Sequence, residues 1–239
     1  EPMLGFASKG SLLPIELAQG LPVMSLNVSE VDVDFFRIHD QRVAAFVSEY
    51  DSSSFSVWSN QQLQSSAKLV YSGRFALPVQ ENAQQRSLLP LKNIEQLQQP
   101  GIYYAVMRQA GNLSYSQPAT LFSLSDIGLS VRKSAASLDI FTQSIASGRK
   151  LSGVQIQLLD RKGRQVQPQQ AVTDADGYLR LHLPASKKED EQPVLLLAQH
   201  RQQTSFLSLR RSALDLSEFA NLDGSPAQEK QLFVFAARD

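Results

Sequence analysis

The stretch GLPVMSLNVSEVDVDFFRI (Gly20 to Ile38) contains the clearest alternation of apolar and polar residues in the chain. Val31, Val33 and Phe35 share one parity, and the carboxylates of two aspartates fall between them. A two-residue period is that of a half-buried β-strand, because successive side chains of a strand point to opposite faces. The residues from Val28 to Ile38 therefore predict a strand with its apolar side on a core and its carboxylates outside.

The same kind of pattern continues after this strand. Short runs rich in β-branched and aromatic residues alternate with turn-forming residues, at the spacing of a β-sandwich. These runs predict strands at Arg42 to Ser48, Lys68 to Leu77, Arg86 to Leu91, Gly101 to Gln109 and Pro118 to Ser125.

Two stretches interrupt this pattern, the Ser/Gln-rich segment from Tyr50 to Ser66 and the segment from Asn93 to Gly101. They predict a loop or a short helix. Trp58 lies in the first of them, three residues after Phe55. Because most tryptophans are largely buried, we expect Trp58 to pin the loop to the core rather than to serve as an exposed protein-binding anchor. The loop itself is expected to be available for contacts with neighbouring domains.

A second β-rich block includes LSGVQIQLLDRKGRQVQPQQAVTDADGYLRLHLP (Leu151 to Pro184). Its alternation and the turn residues Asp160 to Gly163 predict a hairpin. Asp174 to Gly177 predict another turn, followed by a second hairpin or an edge strand. Val194 to Ser212 predict two more strands, and the tail LFVFAARD predicts a last one.

These elements place the chain in the all-β class, as two tandem antiparallel β-sandwich domains of the fibronectin or immunoglobulin kind. We expect the domains to span residues 1–124 and 125–239, with 223–239 leading toward a following domain. The chain begins with Glu1 rather than methionine, and its tail strand is expected to be unpaired. An unpaired apolar edge is a liability, so we expect a piece of a longer array.

Composition narrows the classes of partner. The 239 residues contain 23 Lys plus Arg and 23 Asp plus Glu, so the formal net charge is zero. Neutrality does not favour nucleic acid or an anionic membrane surface as a partner. The sequence contains no apolar run of about 18 residues, the length of a membrane-spanning helix. Cysteine is absent, which excludes disulfides, thiolate metal sites and a cysteine nucleophile.

The sequence signals for a metal site are weak. Asp174 to Gly177 resemble the start of a calcium loop, but the twelfth position is Ala185 instead of a bidentate glutamate. We therefore expect a simple turn there. His39, His182 and His200 are the only histidines and lack zinc-ligand spacing, so we predict no metal site.

Catalytic patterns are equally weak. Ser65 with Lys68 and Ser147 with Lys150 match the S-x-x-K spacing of penicillin-recognising enzymes, but no S-D-N or K-T-G motif accompanies them. Two pairs of carboxylates, Asp32 with Asp34 and Asp139 with Asp215, are candidates for acid–base work. For the first pair, solubility of an exposed strand face explains the carboxylates better. We predict no catalytic, cofactor-binding or metal-binding residue, and no enzyme activity.

An ordered series of motifs resembles a known family. GFASKGSLLPIELAQGLPVMSLNVSEVDVDFFRI, LVYSGRFAL, LLPL, PGIYYAVM and SDIGLSV are similar to a macroglobulin-like domain of bacterial α2-macroglobulins. DIFTQS, SGVQIQLLDRKG, AVTDADGYLRL, LDLSEF and LFVFAARD resemble the next such domain. The resemblance covers essentially the whole chain.

The resemblance implies a large periplasmic protein, commonly a lipoprotein of the inner membrane, that traps proteases after cleavage of a bait region. It also implies a possible association with peptidoglycan-synthesis machinery in some members. The reactive Cys-x-Glu-Gln thioester of the family is absent here, so no site residue is transferred. We expect these domains to be non-catalytic scaffold, with no membrane contact of their own. The alternative is an adhesin-like or cell-wall-assembly module that binds a protein partner by edge pairing.

Overall fold

In the computed structural model, the described residues are 2–7, 11–13, 20–49, 54–56, 60–112, 114, 116–134, 136–166, 171–183, 192–209 and 231–234. The chain forms two compact units, Glu1–Ser125 and Asp126–Asp239. Each unit has its own sheets and its own apolar core. The predicted fold class, two tandem antiparallel β-sandwich domains, is confirmed.

The first unit is built mainly from short strands and contains two α-helices of seven residues among its described parts. The elements are β1 (Met3–Phe6), β2 (Ser11–Leu13), β3 (Leu21–Leu26), β4 (Glu30–Ile38), α1 (Val43–Glu49), β5 (Ser54–Ser56), α2 (Asn60–Ser66), β6 (Ala67–Ala76), β7 (Gln85–Leu89), β8 (Gly101–Gln109) and β9 (Ser116–Leu124). They form a three-stranded sheet, β1-β3-β7, and a larger sheet, β2-β9-β8-β4-β6, with β5 added to β9. All pairings are antiparallel except β2 with β9.

The core of the first unit follows from the alternation in β4. Val31, Val33 and Phe35 are fully buried in one cluster, as the sequence predicts. The ring of Phe35 lies 6.2 Å from the rings of Tyr71 and Phe122, in tilted and edge-on geometry. Burial of such side chains is the main favourable term in folding, so the inner side of β4 contributes strongly to this core.

The predicted strand from Arg42 to Ser48 is wrong, because α1 occupies this position. Val43, Phe46 and Val47 are all buried, at the three- and four-residue spacing of one helix face. The ring of Phe46 packs edge-on against Tyr104, with centroids 5.6 Å apart. The helical period of these apolar residues therefore outweighs the β-propensity of the valines.

The two stretches that interrupt the predicted strand pattern contain short elements of secondary structure. The prediction of a loop or short helix is confirmed by α2 and by a 3₁₀ turn at Glu95–Leu97, whereas the short strand β5 was not expected. The expectation that Trp58 pins the loop lies outside the described residues.

The second unit contains two four-stranded sheets. Its strands are β10 (Ile127–Lys133), β11 (Ser137–Ser144), β12 (Gln155–Leu159), β13 (Ala171–Val172), β14 (Tyr178–His182), β15 (Leu195–His200), β16 (Gln203–Ser208) and β17 (Gln231–Val234). One sheet has the order β14-β11-β10-β17 and the other the order β13-β12-β15-β16. Apolar residues of both sheets form one core cluster.

Two expectations for this unit need correction. Asp174 to Gly177 form a turn, but the flanking strands β13 and β14 belong to different sheets, so the turn crosses the sandwich instead of closing a hairpin. The alternative prediction of an edge strand is confirmed, since β14 ends its sheet. The tail strand is not unpaired, because β17 pairs with β10 over four residues.

Candidate interaction surfaces

The outward side of β4 carries an ionic row across three strands. Asp32 lies directly opposite Arg74 of β6 on one side and Arg108 of β8 on the other. Arg74 donates from Nε to Asp32 Oδ1 at 2.8 Å and from Nη2 to Oδ2 at 3.2 Å. This two-pronged geometry is the strong form of an arginine–carboxylate contact.

The second aspartate of β4 joins the same network. Arg108 donates from Nη1 to Asp34 Oδ2 at 2.6 Å, and the Ser72 hydroxyl donates to Asp34 Oδ1. The Arg108 Nε also lies 4.0 Å from Asp32 Oδ2. Two carboxylates and two guanidinium groups therefore balance each other on this face, and these ion pairs were not expected from the sequence.

The ionic row sets the protonation of Asp32. The hydrogen bonds from Arg74 hold the pKa of this carboxyl below its usual value, against an opposing effect of partial burial. A general acid or base needs a pKa near the working pH. Asp32 is instead held in its charged form, which suits a structural ion pair and not proton transfer.

The second unit repeats the arrangement on the sheet of β14, β11 and β10. Asp139 of β11 lies opposite Arg180 of β14 and Arg132 of β10. Arg180 donates to both carboxylate oxygens, at 2.6 and 3.3 Å, and the Tyr178 hydroxyl donates to Oδ1 at 2.6 Å. The hydrogen bonds from Arg180 and Tyr178 lower the pKa of Asp139, and the bond to Asp139 raises the pKa of Tyr178. The other predicted partner, Asp215, lies outside the described residues.

An aromatic pair adjoins this second row. The Phe141 ring lies 5.2 Å from the ring of Tyr178, directly opposite it in the sheet register. The guanidinium carbon of Arg132 lies 5.4 Å from the centre of the Phe141 ring, within cation–π distance. Arg132 is thus shared between a carboxylate row and an aromatic ring.

The predicted turn at Asp174 to Gly177 is confirmed and carries its own hydrogen bonds. Asp174 Oδ1 accepts from the backbone N–H groups of Asp176 and Tyr178, both at 2.9 Å. Gly177 has φ of +67°, which favours glycine. An added Cβ there would lie 2.4 Å from the carbonyl oxygen of Thr142, so the turn packs directly on β11.

The serine–lysine pairs show no catalytic geometry. Ser65 is in α2, whereas Lys68 is in β6. The Ser147 hydroxyl bonds to Ser144 Oγ at 2.8 Å, and Lys150 Nζ donates to Asp176 at 2.7 Å. The bond to Asp176 raises the pKa of Lys150, the opposite of what a lysine base requires.

The histidines do not form a site. His39 follows β4 of the first unit, whereas His182 ends β14 and His200 ends β15, in different sheets of the second. Across the described residues, no group of three or more His, Asp or Glu side chains is placed to hold a metal ion. Within the same residues, no helix has the length and hydropathy needed to cross a membrane.

Sequence reasoning missed the partners of the aspartates. Asp32 and Arg74 are 42 positions apart, and Asp34 and Arg108 are 74 apart. The alternation of β4 shows which side the carboxylates occupy, but the strand order and register decide which arginines stand opposite. Alternation marks both Asp139 and Arg180 as outward residues, but only the strand order of the sheet places β14 beside β11.

The fold and these surfaces define a class: tandem β-sandwich domains whose outward polar groups brace sheets. Comparison with known proteins gives the family. The model of the "Bacterial alpha-2 macroglobulin MG2 domain" matches residues 5–122, and that of the "Bacterial alpha-2-macroglobulin MG3 domain" matches residues 124–227. The chain is 46% identical over 240 residues to alpha-2-macroglobulin of Escherichia coli, covering 100% of this chain and 14% of that protein.

Solved structures agree with these matches. A crystal structure of native Escherichia coli alpha-2-macroglobulin spanning domains NIE-MG1 has a TM-score of 0.73 and 44% identity, covering 88% of this chain and 98% of that one. The trypsin-activated form of the same protein has a TM-score of 0.66 and 45% identity, covering 94% of this chain and 15% of that one. The chain belongs to the bacterial alpha-2-macroglobulin family, and its predicted membership is confirmed. It spans about one seventh of the length of that curated relative.

Proposed function

We propose that the chain is a non-catalytic scaffold segment of an alpha-2-macroglobulin-like inhibitor that traps proteases in the bacterial periplasm. The observation that carries the proposal is the match of two consecutive domains to the family models. A solved structure of a relative, alpha-2-macroglobulin of Escherichia coli in its trypsin-activated form, supports a protease as partner. In this role the two sandwiches hold mobile parts of a larger protein in position, and inhibition is steric.

The charged groups of the described residues support a structural role. Asp32 and Asp139 each have a lowered pKa because arginines bond to them. Such carboxylates brace neighbouring strands and are poorly suited to acid–base chemistry. We therefore propose that the segment has no catalytic, cofactor-binding or metal-binding residue and is not an enzyme.

We propose two domains, residues 1–124 and 125–239. The division into compact units at Ser125 and the family matches on either side of residue 123 support this boundary. The stretch 223–239 is proposed to lead toward a following domain, although Gln231–Val234 also completes a sheet of the second unit.

Proteases are the proposed partners of the full-length protein, and peptidoglycan-synthesis or other envelope proteins are additional candidates. We propose a periplasmic location with a lipid anchor in the inner membrane. Fractionation of cells into periplasm, inner membrane and cytoplasm, followed by immunodetection, tests this location. Recovery in the cytoplasm would refute it.

Inhibition is tested with the purified full-length protein and trypsin. A trap shields the protease from large substrates but leaves its active site open to small ones. We therefore expect loss of casein cleavage with retained cleavage of a small chromogenic peptide. The 239-residue chain alone is expected to inhibit neither.

Two results would refute this function. Full casein cleavage at a molar excess of the full-length protein would exclude the trapping function. Stoichiometric inhibition by the 239-residue chain alone would show an inhibitory site within it, and the scaffold role would be wrong. A discrete envelope protein retained by the chain alone, without protease inhibition by the full-length protein, would favour the binding-module alternative.

A further inference from the structure

Two asparagines of the first unit have a backbone conformation that residues other than glycine rarely adopt. Asn27 has φ of +54° and Asn82 has φ of +55°. Asparagine tolerates this left-handed region better than most residues, but only glycine adopts it at no steric cost. A strained conformation of this kind persists where the surrounding structure holds it in place, and it often has a purpose there.

The side chains of these two residues bind each other. Asn27 Oδ1 accepts from the backbone N–H of Asn82 at 2.9 Å, and Asn27 Nδ2 donates to Asn82 Oδ1 at 3.1 Å. The two residues are 55 positions apart in the chain. We call this pair of hydrogen bonds the asparagine clasp.

The asparagine clasp joins the two connections by which the chain changes sheet at one end of the first unit. Residues 27–29 lead from β3 of the small sheet to β4 of the large one, and residues 77–84 lead from β6 back to β7. The backbone N–H of Leu77 also donates to the carbonyl of Ser29 at 2.8 Å. Val28 and Leu77 are buried members of the core cluster. The joined connections therefore close the core at this end.

Turn geometry explains the positive φ of Asn82 but does not explain the clasp. Asn82 is the third residue of the turn from Gln80 to Ala83, which the backbone N–H of Ala83 closes at 3.2 Å. Positive φ at this position favours glycine or asparagine. Glycine would keep the turn without strain, but it has no amide group to bind Asn27. The asparagine side chains therefore supply a contact between the connections that glycine cannot supply.

The balance of these effects is small. Left-handed backbone costs free energy in a residue that has a Cβ, and a hydrogen bond near the surface contributes only a little net stability. Elements held by so small a surplus open locally, at a lower free energy than the core strands require.

We propose that the asparagine clasp is a latch that keeps this end of the first sandwich closed. Its loss opens the two connections locally, while the middle strands of the large sheet stay folded. This role belongs to the first unit alone and is independent of protease trapping.

Hydrogen exchange of the full-length protein, read at single amides by mass spectrometry, measures this opening. The Leu77 amide is the reporter, because its hydrogen bond joins the two connections. The amides of β8, the middle strand of the large sheet, report opening of the whole unit. Asn27→Gly relieves the backbone strain and removes the clasp. We expect it to raise the opening constant at Leu77 at least about fivefold and to leave β8 unchanged.

Arg201→Gly is the matched control for the backbone. Arg201 has φ of +56° in the two-residue turn between β15 and β16. Glycine there relieves the same strain without removing a clasp, and exchange in β16 should change by less than about twofold. Unchanged or slower exchange at Leu77 in Asn27→Gly would overturn the proposal, because the turn alone would then explain the asparagine. An equal rise at β8 would also overturn it, since the whole unit would then depend on the clasp.

Paired aspartates test whether the two side chains meet. In Asn27→Asp or Asn82→Asp alone, the remaining amide donates to the new carboxylate, and opening at Leu77 should change by less than about threefold. In the double variant two carboxylates face each other. Opening at pH 7 should then exceed the product of the single effects at least about tenfold. Like charges raise the pKa of a carboxyl group, so this excess should fall toward pH 4, where one of the two is protonated.

Asn27→Asp combined with Asn93→Asp is the matched control for charge. Asn93 is exposed and follows the other end of β7, so the two effects should combine without excess. The same independence between Asn27→Asp and Asn82→Asp would refute the clasp. None of these readouts uses a protease, so a failed trapping assay and a failed test of the clasp are separate results.

Discussion

The first unit presents two outward sheet faces of opposite character. On β4, β6 and β8, Asp32 and Asp34 are balanced by Arg74 and Arg108 within the sheet itself. On β1, β3 and β7, the outward positions are mostly apolar, and they are Met3, Pro22, Met24, Leu26 and Leu88, with Arg86 opposite Met24. On the first side the charged groups pair within the sheet, whereas on the second side Pro22, Met24 and Leu26 are half-buried and Met3 and Leu88 are exposed. The two sides show that the outward positions of a strand are not polar by rule, and that strand order decides which polar groups find partners.

The largest expected effect concerns the inner side of β3. Val23→Asp would place an isolated carboxylate in the core, and we expect a loss of about 4 kcal/mol or more in the free energy of unfolding of the first unit. Met24→Asp, one residue further and on the outer side, is expected to cost about 1 kcal/mol or less. Urea unfolding followed by the fluorescence of Trp58, the only tryptophan, measures both. Similar losses for the two variants would contradict the assigned faces.

The next effect extends the comparison to the second unit, where the turn at Gly177 leads into β14 and its part of the Asp139 network. Gly177→Ala is expected to cost about 3 kcal/mol, because positive φ and a close approach to Thr142 act together. Gly148→Ala is the control, since Gly148 has φ of +68° but open space around it, and about 1 kcal/mol is expected. Urea unfolding followed by far-ultraviolet circular dichroism checks both, and equal losses would exclude the steric contribution.

A smaller effect is expected on the charged face. Asp32→Asn removes the charged acceptor of Arg74, and the loss of stability should be about 1 kcal/mol or less because Arg74 is solvent-exposed. The difference from the wild type should shrink in 1 M salt. Glu81→Gln, at an exposed turn, is the matched control. An increase in stability with Asp32→Asn would contradict this account, because it would show that the ion pair with Arg74 does not stabilise the unit.

The smallest effect is the pH dependence of that loss. The pKa of Asp32 is lowered in the folded state, so its contribution is fully present above the ordinary carboxyl value of 3.8. The contribution falls as the pH drops from there through the folded pKa. The stability difference between wild type and Asp32→Asn should thus be constant from pH 7 to about 5 and vanish in stronger acid. A difference that grows on acidification would have the wrong sign.

The sequence was sufficient for the features that depend on local alternation. The inner side of β4 and most strands were predicted correctly because their apolar residues recur with period two. The helix α1 was missed because Val43, Phe46 and Val47 also have high β-propensity, and only their three- and four-residue spacing separates the two structures.

The features that depend on strand order were beyond local patterns. The partners of Asp32 come from strands far along the chain, and β13 and β14 flank one turn yet enter different sheets. The outward side of β3 did leave a signal, since LPVMSL in β3 is apolar at both parities except for Ser25. Such a run is typical of a strand covered on both sides.

Hydrogen exchange of the full-length protein, before and after its reaction with trypsin, tests most directly whether these two domains are framework. We expect the amides of the central strands β4 and β11 to keep their protection through the reaction, while other parts of the polypeptide change. Loss of protection in β4 and β11 after the reaction would show that the two domains themselves rearrange, and would contradict the scaffold role.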